Sequence, residues 1–215
     1  MSFTFQYSQH PEYHFSLDSV EGPRRIATRL NERGISSVDR ALDLCAGCGV
    51  MGLETLFHFP AIQSFDFLEL QAANQIHLER NTSELQKQFS ATTMNLNFGD
   101  FRNWNQTFGV QLFDLIVCNP PFFLPGQGKL SPSGFKNRSR FFMDGDLQGL
   151  VEAILGLLKP GSLGYVLIRD QSQHGLQMLK DIDVFCRGRA RVEVLGPVRT
   201  TSLVEIHRNS SSPEM

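Results

Sequence analysis

One stretch near the middle of the chain, residues 113–123, limits the possible folds more than any other. It begins with the apolar run Phe-Asp-Leu-Ile-Val-Cys and changes abruptly to Asn119, Pro120 and Pro121, which two phenylalanines follow. A nearly continuous apolar run is typical of a parallel strand that is buried on both faces. Proline cannot continue such a strand, because it lacks the N–H that the ladder needs. The stretch therefore predicts a buried strand ending at Asn119, and open α/β sheets bind their ligands at this end of their strands.

Strands and helices alternate along the rest of the chain, which predicts one α/β domain over residues 1–208 with a Rossmann-like, doubly wound parallel sheet and antiparallel additions at its end. The predicted strands cover residues 38–44, 62–70, 91–98, 113–119, 163–168, 189–195 and 202–207. The first predicted helix begins after an N-cap at Ser19 and stops at Gly34. Further helices are predicted from Val50 to before Pro60, over residues 71–89, after an N-cap at Asp146, and over residues 174–182. Residues 124–145 form a loop long enough to be functional or disordered, and we expect the tail 209–215 to be disordered.

Composition narrows the class of protein. The 215 residues suffice for one well-cored domain, and the net charge of −2 gives no overall attraction to a polyanion, so such a partner must meet a local basic patch. No apolar run reaches the roughly 20 residues that span a bilayer, and residues 1–10 lack the features of a secretory signal. We therefore expect a cytoplasmic protein with reduced cysteines and no membrane partner; its oligomeric state stays open, with a monomer favoured.

A glycine-rich turn follows the first predicted strand. Residues 43–49 read Asp-Leu-Cys-Ala-Gly-Cys-Gly and lead directly into a helix, where glycines allow a ligand to approach the backbone closely. The dinucleotide fingerprint G-x-G-x-x-G is absent, which disfavours NAD and FAD. The arrangement D-x-x-x-G-x-G is the one expected for S-adenosylmethionine, with Asp43, Cys45, Gly47 and Gly49 as candidate cofactor-binding residues. Taken alone, the turn is equally consistent with a simple strand–helix connection.

Two further strand ends carry acidic residues. Glu69 lies about 20 residues beyond the glycine turn, where ribose-binding Rossmann sheets place an acceptor for the ribose hydroxyls. Asp100 could accept a hydrogen bond from an adenine amino group, and Phe101 could pack on the adenine ring. Each carboxylate alone could be a turn residue, but acidic groups at three successive strand ends favour a nucleoside cofactor.

Asn119 and Pro120 suit a reaction at an exocyclic amine. Such a nitrogen is a poor nucleophile, because its lone pair is delocalised into the ring. Two carbonyl acceptors, one from the Asn119 side chain and one from the Pro120 backbone, would hold the amine and stabilise the positive charge that grows on it. Phe122 can stack on the base. A rigid turn is the alternative explanation of Asn-Pro-Pro alone.

Cys45 and Cys48 form a C-x-x-C pair, which raises the question of a metal or redox site. No second Cys or His pair lies at ligand spacing, and the pair lies inside the glycine turn. We therefore expect no metal site.

Three stretches, residues 15–20, 42–50 and 119–123, together resemble a known family. They read Phe-Ser-Leu-Asp-Ser-Val, Leu-Asp-Leu-Cys-Ala-Gly-Cys-Gly-Val and Asn-Pro-Pro-Phe-Phe, and they resemble class I S-adenosylmethionine-dependent methyltransferases of the bacterial tRNA adenine-N6 type. That group methylates the adenosine next to the anticodon of a valine tRNA. The resemblance extends from about residue 13 to 203.

The resemblance implies a seven-stranded, mostly parallel sheet with helices on both faces, an N-terminal segment (residues 1–35) that contributes to the site, S-adenosyl-L-methionine as cofactor and RNA, specifically tRNA, as partner. The implied catalytic motif is Asn119, Pro120, Pro121 and Phe122. The implied cofactor-binding residues are Asp43, Gly47, Gly49, Glu69 and Asp100, to which we add Cys45, Phe101 and Asn119 as candidates. Our candidate substrate-binding residues are Phe15, Asp18, Phe122, Phe123, Arg138 and Arg140. Two features depart from the family pattern: Cys45 replaces a common glycine, and residues 138–141 lack the usual His or Glu.

Three hypotheses follow from these residues. The first is N-methylation of an adenine amine in tRNA. The second is methylation of a protein glutamine or of a guanine amine in ribosomal RNA, because the N-P-P-[FY] motif is shared by enzymes acting on all these groups. The third is a cofactor-binding module without catalysis.

Overall fold

The computed structural model describes residues 4–109, 111–124, 126–169 and 177–210. Seven strands are present in these ranges: β1 (Val38–Leu44), β2 (Ile62–Glu69), β3 (Thr93–Phe98), β4 (Phe113–Cys118), β5 (Leu158–Ile168), β6 (Ala190–Val198) and β7 (Thr201–Arg208). The α-helices are α1 (Asp18–Glu32), α2 (Val50–His58), α3 (Ala72–Gln86), α4 (Trp104–Phe108), α5 (Gly134–Arg140), α6 (Leu147–Leu157) and α7 (Met178–Cys186), and a 3₁₀ helix covers Phe101–Asn103.

The strands form one sheet in the order β3-β2-β1-β4-β5-β7-β6. The first five are parallel to one another, and β7 is antiparallel to both β5 and β6. This confirms the predicted α/β fold with a seven-stranded, mostly parallel sheet. The strand order reverses between β1 and β4, which is where doubly wound sheets open a crevice for ligands.

Two apolar layers cover the sheet, one on each face. Strand β4 contributes Leu115 and Val117 to the layer that holds α1, α2 and α3, and it contributes Ile116 and Cys118 to the layer that holds α6 and α7. All four side chains are fully buried. The apolar run of β4 is therefore continuous because successive side chains alternate between two equally buried faces.

Several predicted boundaries differ from the structure. Ser19 is not the N-cap of α1, because the helix already begins at Asp18. Its predicted end is confirmed: Gly34 follows the helix at φ +71°, a conformation that glycine adopts easily. The predicted loop 124–145 contains α5, whose N-cap Ser133 accepts a hydrogen bond from the Lys136 N–H.

The C-terminal part also differs in detail. Strand β5 begins at Leu158 rather than at residue 163, and the last helix ends at Cys186 rather than at residue 182. The predicted start of that helix, at residue 174, and most of the predicted disordered tail lie outside the described residues. In the part of the chain that is described, no helix combines the length and apolar character needed to cross a membrane.

Candidate functional site

A cleft opens at the carboxyl ends of β1, β2 and β4. Its walls come from residues within 43–51 at the end of β1 and in the turn after it, from 68–71 at the end of β2, and from 119–122 after β4. Parts of the segments 9–19 and 138–145 lie over these ends. Strand pairing explains why the first three segments meet, because Leu44 is in register with both Leu68 and Cys118. The turns that follow these three residues therefore emerge side by side.

Three buried oxygen atoms of the cleft residues have no hydrogen-bond partner among the described residues. They are Ser16 Oγ, Asp43 Oδ1 and Asn119 Oδ1, and Glu54 Oε2 is the only other buried side-chain atom of the described chain in this condition. Burying a polar atom without a hydrogen bond is costly, so unpaired atoms of this kind are rare in folded proteins. Their concentration in one cleft indicates a site built for a polar ligand.

Asp43 lies at the floor of the cleft and is almost completely buried. Its Oδ2 accepts a hydrogen bond of 2.8 Å from the Gly52 N–H in the first turn of α2, while Oδ1 has no partner in the part of the chain that is described. Burial raises the pKa of Asp43 to about 8, and the nearby negative charge of Glu69 acts in the same direction. The site can therefore compensate a positively charged ligand, whose charge would favour the ionised carboxylate.

The turn between β1 and α2 has three left-handed positions, at every second residue: Cys45 at φ +64°, Gly47 at φ +57° and Gly49 at φ +86°. A side chain at 47 would meet no atom within 4 Å, so this glycine leaves open space in the cleft. A Cβ at 49 would lie 2.7 Å from Leu78 Cδ1, so Gly49 is required for helix packing, and it does not line the cleft. Cys45 lines the cleft despite a conformation that is uncommon for a residue with a Cβ.

Glu69 closes the end of β2 and is buried, which raises its pKa. Its Oε2 accepts a hydrogen bond of 2.8 Å from the Gly47 N–H, and its Oε1 accepts from the Gln71 N–H at 2.8 Å and from Asn74 Nδ2 at 3.0 Å. A carboxylate offers about four acceptor positions, so one remains for a ligand.

Asp100 and Phe101 differ in their relation to the cleft. Phe101 lines it, whereas the Asp100 carboxylate is engaged by Arg102, whose Nε lies 3.0 Å from Oδ1. Asp100 also accepts a hydrogen bond from the Arg102 N–H at the start of the 3₁₀ helix. Its proposed contact with adenine stays a prediction.

Asn119, Pro120, Pro121 and Phe122 all line the cleft. Asn119 Nδ2 donates a hydrogen bond of 2.6 Å to Ser19 Oγ in α1, which leaves Oδ1 as the unpaired end of the amide. The Phe122 and Phe123 N–H groups both donate to the Arg140 carbonyl, so the end of α5 holds the turn after β4 in place.

The predicted substrate-binding residues are divided between the cleft and its surroundings. Phe15 and Arg138 line the cleft, and Arg138 is also paired with Asp144 at 2.7 Å. Arg140 does not line it; its guanidinium lies 5.4 Å from the Phe123 ring centroid. Asp18 points away, because its carboxylate accepts hydrogen bonds from the N–H and hydroxyl of Thr200.

Four residues with contacts at the site were not among the predicted site residues. Ser19 holds Asn119, and Asn74 holds Glu69. Asn81 of α3 donates to the carbonyls of Ser8 and Cys48, each at 2.8 Å, and thereby joins the N-terminal segment to the glycine turn. Arg169 lies with its guanidinium 5.6 Å from the Phe122 ring centroid. Except for Asn74, which lies five positions after Glu69, these residues are far from their partners in the chain, so no local pattern could identify their contacts.

Cys48 of the C-x-x-C pair is buried. Burial raises the pKa of Cys48 to about 12, so this thiol holds its proton near neutral pH. Within the described ranges, no three His, Cys, Asp or Glu side chains are grouped as a metal ion would require.

Comparisons with known proteins agree with this geometry. Residues 14–131, more than half of the chain, match the methyltransferase small domain (MTS) family. The chain is 22% identical to the tRNA1(Val) (adenine(37)-N6)-methyltransferase of Shewanella frigidimarina, over 100% of this chain and 84% of that protein. It is 29% identical to the ribosomal protein uL3 glutamine methyltransferase of Bordetella pertussis, over 66% of this chain but only 48% of that protein.

Among solved structures, a candidate methyltransferase from Escherichia coli superposes with a TM-score of 0.61 at 16% identity, over 94% of this chain and 90% of the other. This likeness supports the fold alone. The family match favours an enzyme over a non-catalytic cofactor-binding module. The chain belongs to the methyltransferase small domain family and is an S-adenosylmethionine-dependent methyltransferase.

Proposed function

We propose that this enzyme methylates the exocyclic N6 amine of an adenine in tRNA. The observation that carries the proposal is Asn119 Oδ1, a buried acceptor with no partner among the described residues, which borders the same cleft as the glycine turn and Asp43. An amine with two hydrogens is the kind of group that such an acceptor recognises. When bound, S-adenosylmethionine supplies an electrophilic methyl group on a sulfonium.

The residues after β4 are suited to raise the reactivity of a flat amine. Asn119 Oδ1 and the Pro120 carbonyl would each accept one N–H, which fixes the nitrogen and stabilises the positive charge that develops as its lone pair forms the new N–C bond. Phe122 would stack on the base, a contact worth about 1–3 kcal/mol. One amine proton then leaves to water, so no strong general base is needed.

The other cleft residues fit the methyl donor. Asp43 offers a free carboxylate oxygen, and Cys45, Gly47 and Phe101 border the space beside it. The remaining acceptor position of Glu69 would bind one ribose hydroxyl, and binding of both would require the Gly47 N–H to be released. Gly49 would act through packing, and Asp100 would contact adenine only if its pair with Arg102 opened.

Cationic groups beside Phe122 and Phe123 favour RNA over protein as the substrate. Arg140 lies near the Phe123 ring and Arg169 near the Phe122 ring, and neither forms an ion pair with a carboxylate of the described residues. Both positive charges also act on Tyr13, where they partly offset the rise in pKa that burial causes. Guanidinium groups beside a base-stacking ring are suited to the phosphates that flank a nucleotide. We accordingly place the enzyme in the cytoplasm with its substrate.

The test is incubation of the protein with radiolabelled S-adenosylmethionine and total tRNA, followed by nucleoside digestion. Label in N6-methyladenosine supports the proposal, and its loss in Asn119→Ala with cofactor affinity retained assigns the role of the amide. Failure to label adenosine in any tRNA would contradict the proposal.

A second candidate, methylation of a protein glutamine, is favoured by one observation. The chain is similar to the Bordetella pertussis glutamine methyltransferase over 66% of its length, and a glutamine side chain also presents an NH₂ group. Addition of ribosomal protein and ribosomal RNA to the same reaction separates the candidates: label would appear in protein for glutamine, or in guanosine for a guanine amine.

A further inference from the structure

The side-chain amide of Asn119 is fixed at one end only. Its Nδ2 donates to Ser19 Oγ at 2.6 Å, and its Oδ1 is buried with no partner among the described residues. A hydroxyl can accept or donate, and in this structure the Ser19 hydroxyl accepts from Nδ2, which leaves Oδ1 as the end of the amide that is available to a ligand in the cleft.

The two ends of an asparagine amide are nearly equal in shape but opposite in hydrogen bonding. The oxygen accepts, and the nitrogen donates. If the amide rotated by half a turn, Nδ2 would face the amine of the substrate, donor against donor. That orientation would hold the substrate poorly and would oppose the positive charge that develops on its nitrogen.

Ser19 is itself held firmly. It is 4% exposed in the first turn of α1, where its N–H donates to the Ser16 carbonyl at 3.1 Å. The preceding residue, Asp18, accepts hydrogen bonds from the N–H and hydroxyl of Thr200 in the turn between β6 and β7. These bonds tie the start of α1 to the β6–β7 turn. Ser19 Oγ is therefore a fixed point against which Asn119 can be oriented.

We propose that Ser19 is a positioning residue for methyl transfer: it holds Asn119 Nδ2, so that Oδ1 faces the acceptor amine. The inference rests on the proposed role of Asn119. It predicts that loss of the Ser19 hydroxyl leaves Asn119 in place but allows its amide to turn.

The first test compares Ser19→Ala with the wild type in steady-state methylation of tRNA. We expect kcat to fall by about tenfold, because part of the enzyme population presents the wrong end of the amide, while the Kd for S-adenosylmethionine stays within about twofold. Thr28→Ala is the matched control, since it removes a hydroxyl from the same helix that bonds only to the Arg24 carbonyl. An unchanged kcat in Ser19→Ala would overturn the inference.

The second test repeats Ser19→Ala in an Asn119→Asp background. A carboxylate presents an acceptor at both ends, so its orientation no longer matters. We expect Ser19→Ala to lose most of its effect on kcat in this background, whereas a general structural role of Ser19 would give the same fold-decrease in both. An equal decrease would therefore also overturn the inference.

The outcomes distinguish a failure of this inference from a failure of the proposed function. Full methyl transfer by Asn119→Ala would contradict the proposed function. An inactive Asn119→Ala together with a fully active Ser19→Ala would contradict the role of Ser19 alone.

Discussion

Asp43 is a buried carboxyl group whose Oδ1 has no hydrogen-bond partner among the described residues, and this combination lowers the free energy of unfolding in the absence of a ligand. Its pKa is about 8 in the folded chain, against an ordinary value of 3.8. Between these two values the folded state holds a proton that the unfolded state has released. The free energy of unfolding must therefore decrease as the pH rises through this interval.

Replacement of Asp43 by Asn tests this linkage. The change keeps an acceptor for the Gly52 N–H and removes the titration. We expect the wild type to lose stability relative to Asp43→Asn from about pH 4 to pH 8, by at most about 1.4 kcal/mol per pH unit, with no further loss above the folded pKa. Urea unfolding at a series of pH values measures the difference, and parallel pH profiles of the two proteins would contradict the assignment.

At the scale of single residues, sequence reasoning found the groups that follow strands and missed those that support them. Asp43, Glu69 and Asn119 could be named because the ends of parallel strands share one edge of a sheet. The role of Ser19 could not be predicted, because its contact with Asn119 spans 100 positions and depends on how α1 packs.

Helix α6 packs against α4 through a glycine. A Cβ on Gly156 would lie 2.4 Å from Trp104 Cζ2, so the indole ring occupies the space of a side chain. We expect Gly156→Ala to lower the free energy of unfolding by about 1–3 kcal/mol, because the ring must move in a well-packed layer.

The matched control is Gly134→Ala in α5, where the nearest atom to the new Cβ is the flexible end of Arg138 at 3.9 Å. That change should leave stability unchanged or raise it by up to about 1 kcal/mol, since alanine favours helix. Equal effects of the two substitutions in denaturant titrations would show that ring contact is not the cause.

The N-terminal segment is joined to the glycine turn by Asn81. Its Nδ2 donates to the carbonyls of Ser8 and Cys48, and its Oδ1 accepts from the Ser8 N–H at 2.7 Å. We expect Asn81→Ala to weaken S-adenosylmethionine binding about 3- to 10-fold, because the turn and the segment over it lose a shared support. Calorimetry measures the change.

Asn97→Ala serves as the control, because Asn97 bonds to Asp66 on the neighbouring strand and does not border the cleft. It should leave the affinity unchanged. An unchanged affinity in Asn81→Ala as well would mean that the segment does not contribute to the cofactor site.

At the scale of elements, periodicity predicted every strand and most helices, since two buried faces and short connections leave strong patterns. Helix α5 was missed because its sequence, Gly-Phe-Lys-Asn-Arg-Ser-Arg, has no buried residue and no apolar stripe. Its order comes from the Ser133 cap and from the Arg140 carbonyl, which binds the turn after β4.

At the scale of the whole molecule, the net charge of −2 conceals an uneven distribution. Many arginines on the body of the protein are engaged by carboxylates: Arg29 and Arg33 contact Glu205, Arg189 contacts Glu152, and Arg80 contacts Glu84. Arg140, beside the Phe123 ring, and Arg169, beside the Phe122 ring, have no carboxylate partner among the described residues. Composition could not reveal this, because pairing depends on the fold.

The salt dependence of substrate binding tests whether these two charges contact phosphate. Each phosphate contact releases condensed counterions, so the logarithm of RNA affinity falls linearly with the logarithm of salt concentration. We expect Arg140→Gln and Arg169→Gln each to raise the KM for tRNA and to reduce the magnitude of the salt slope by about 1, with the Kd for S-adenosylmethionine unchanged.

Arg80→Gln provides the comparison, because Arg80 is exposed on α3 and paired with Glu84 four residues later. This variant should keep both the KM for tRNA and the slope of the wild type. If all three variants gave the wild-type slope, the guanidinium groups beside Phe122 and Phe123 would not contact phosphate. The acceptor would then be recognised by its amine and its flat face alone, which would favour a protein glutamine over a nucleotide.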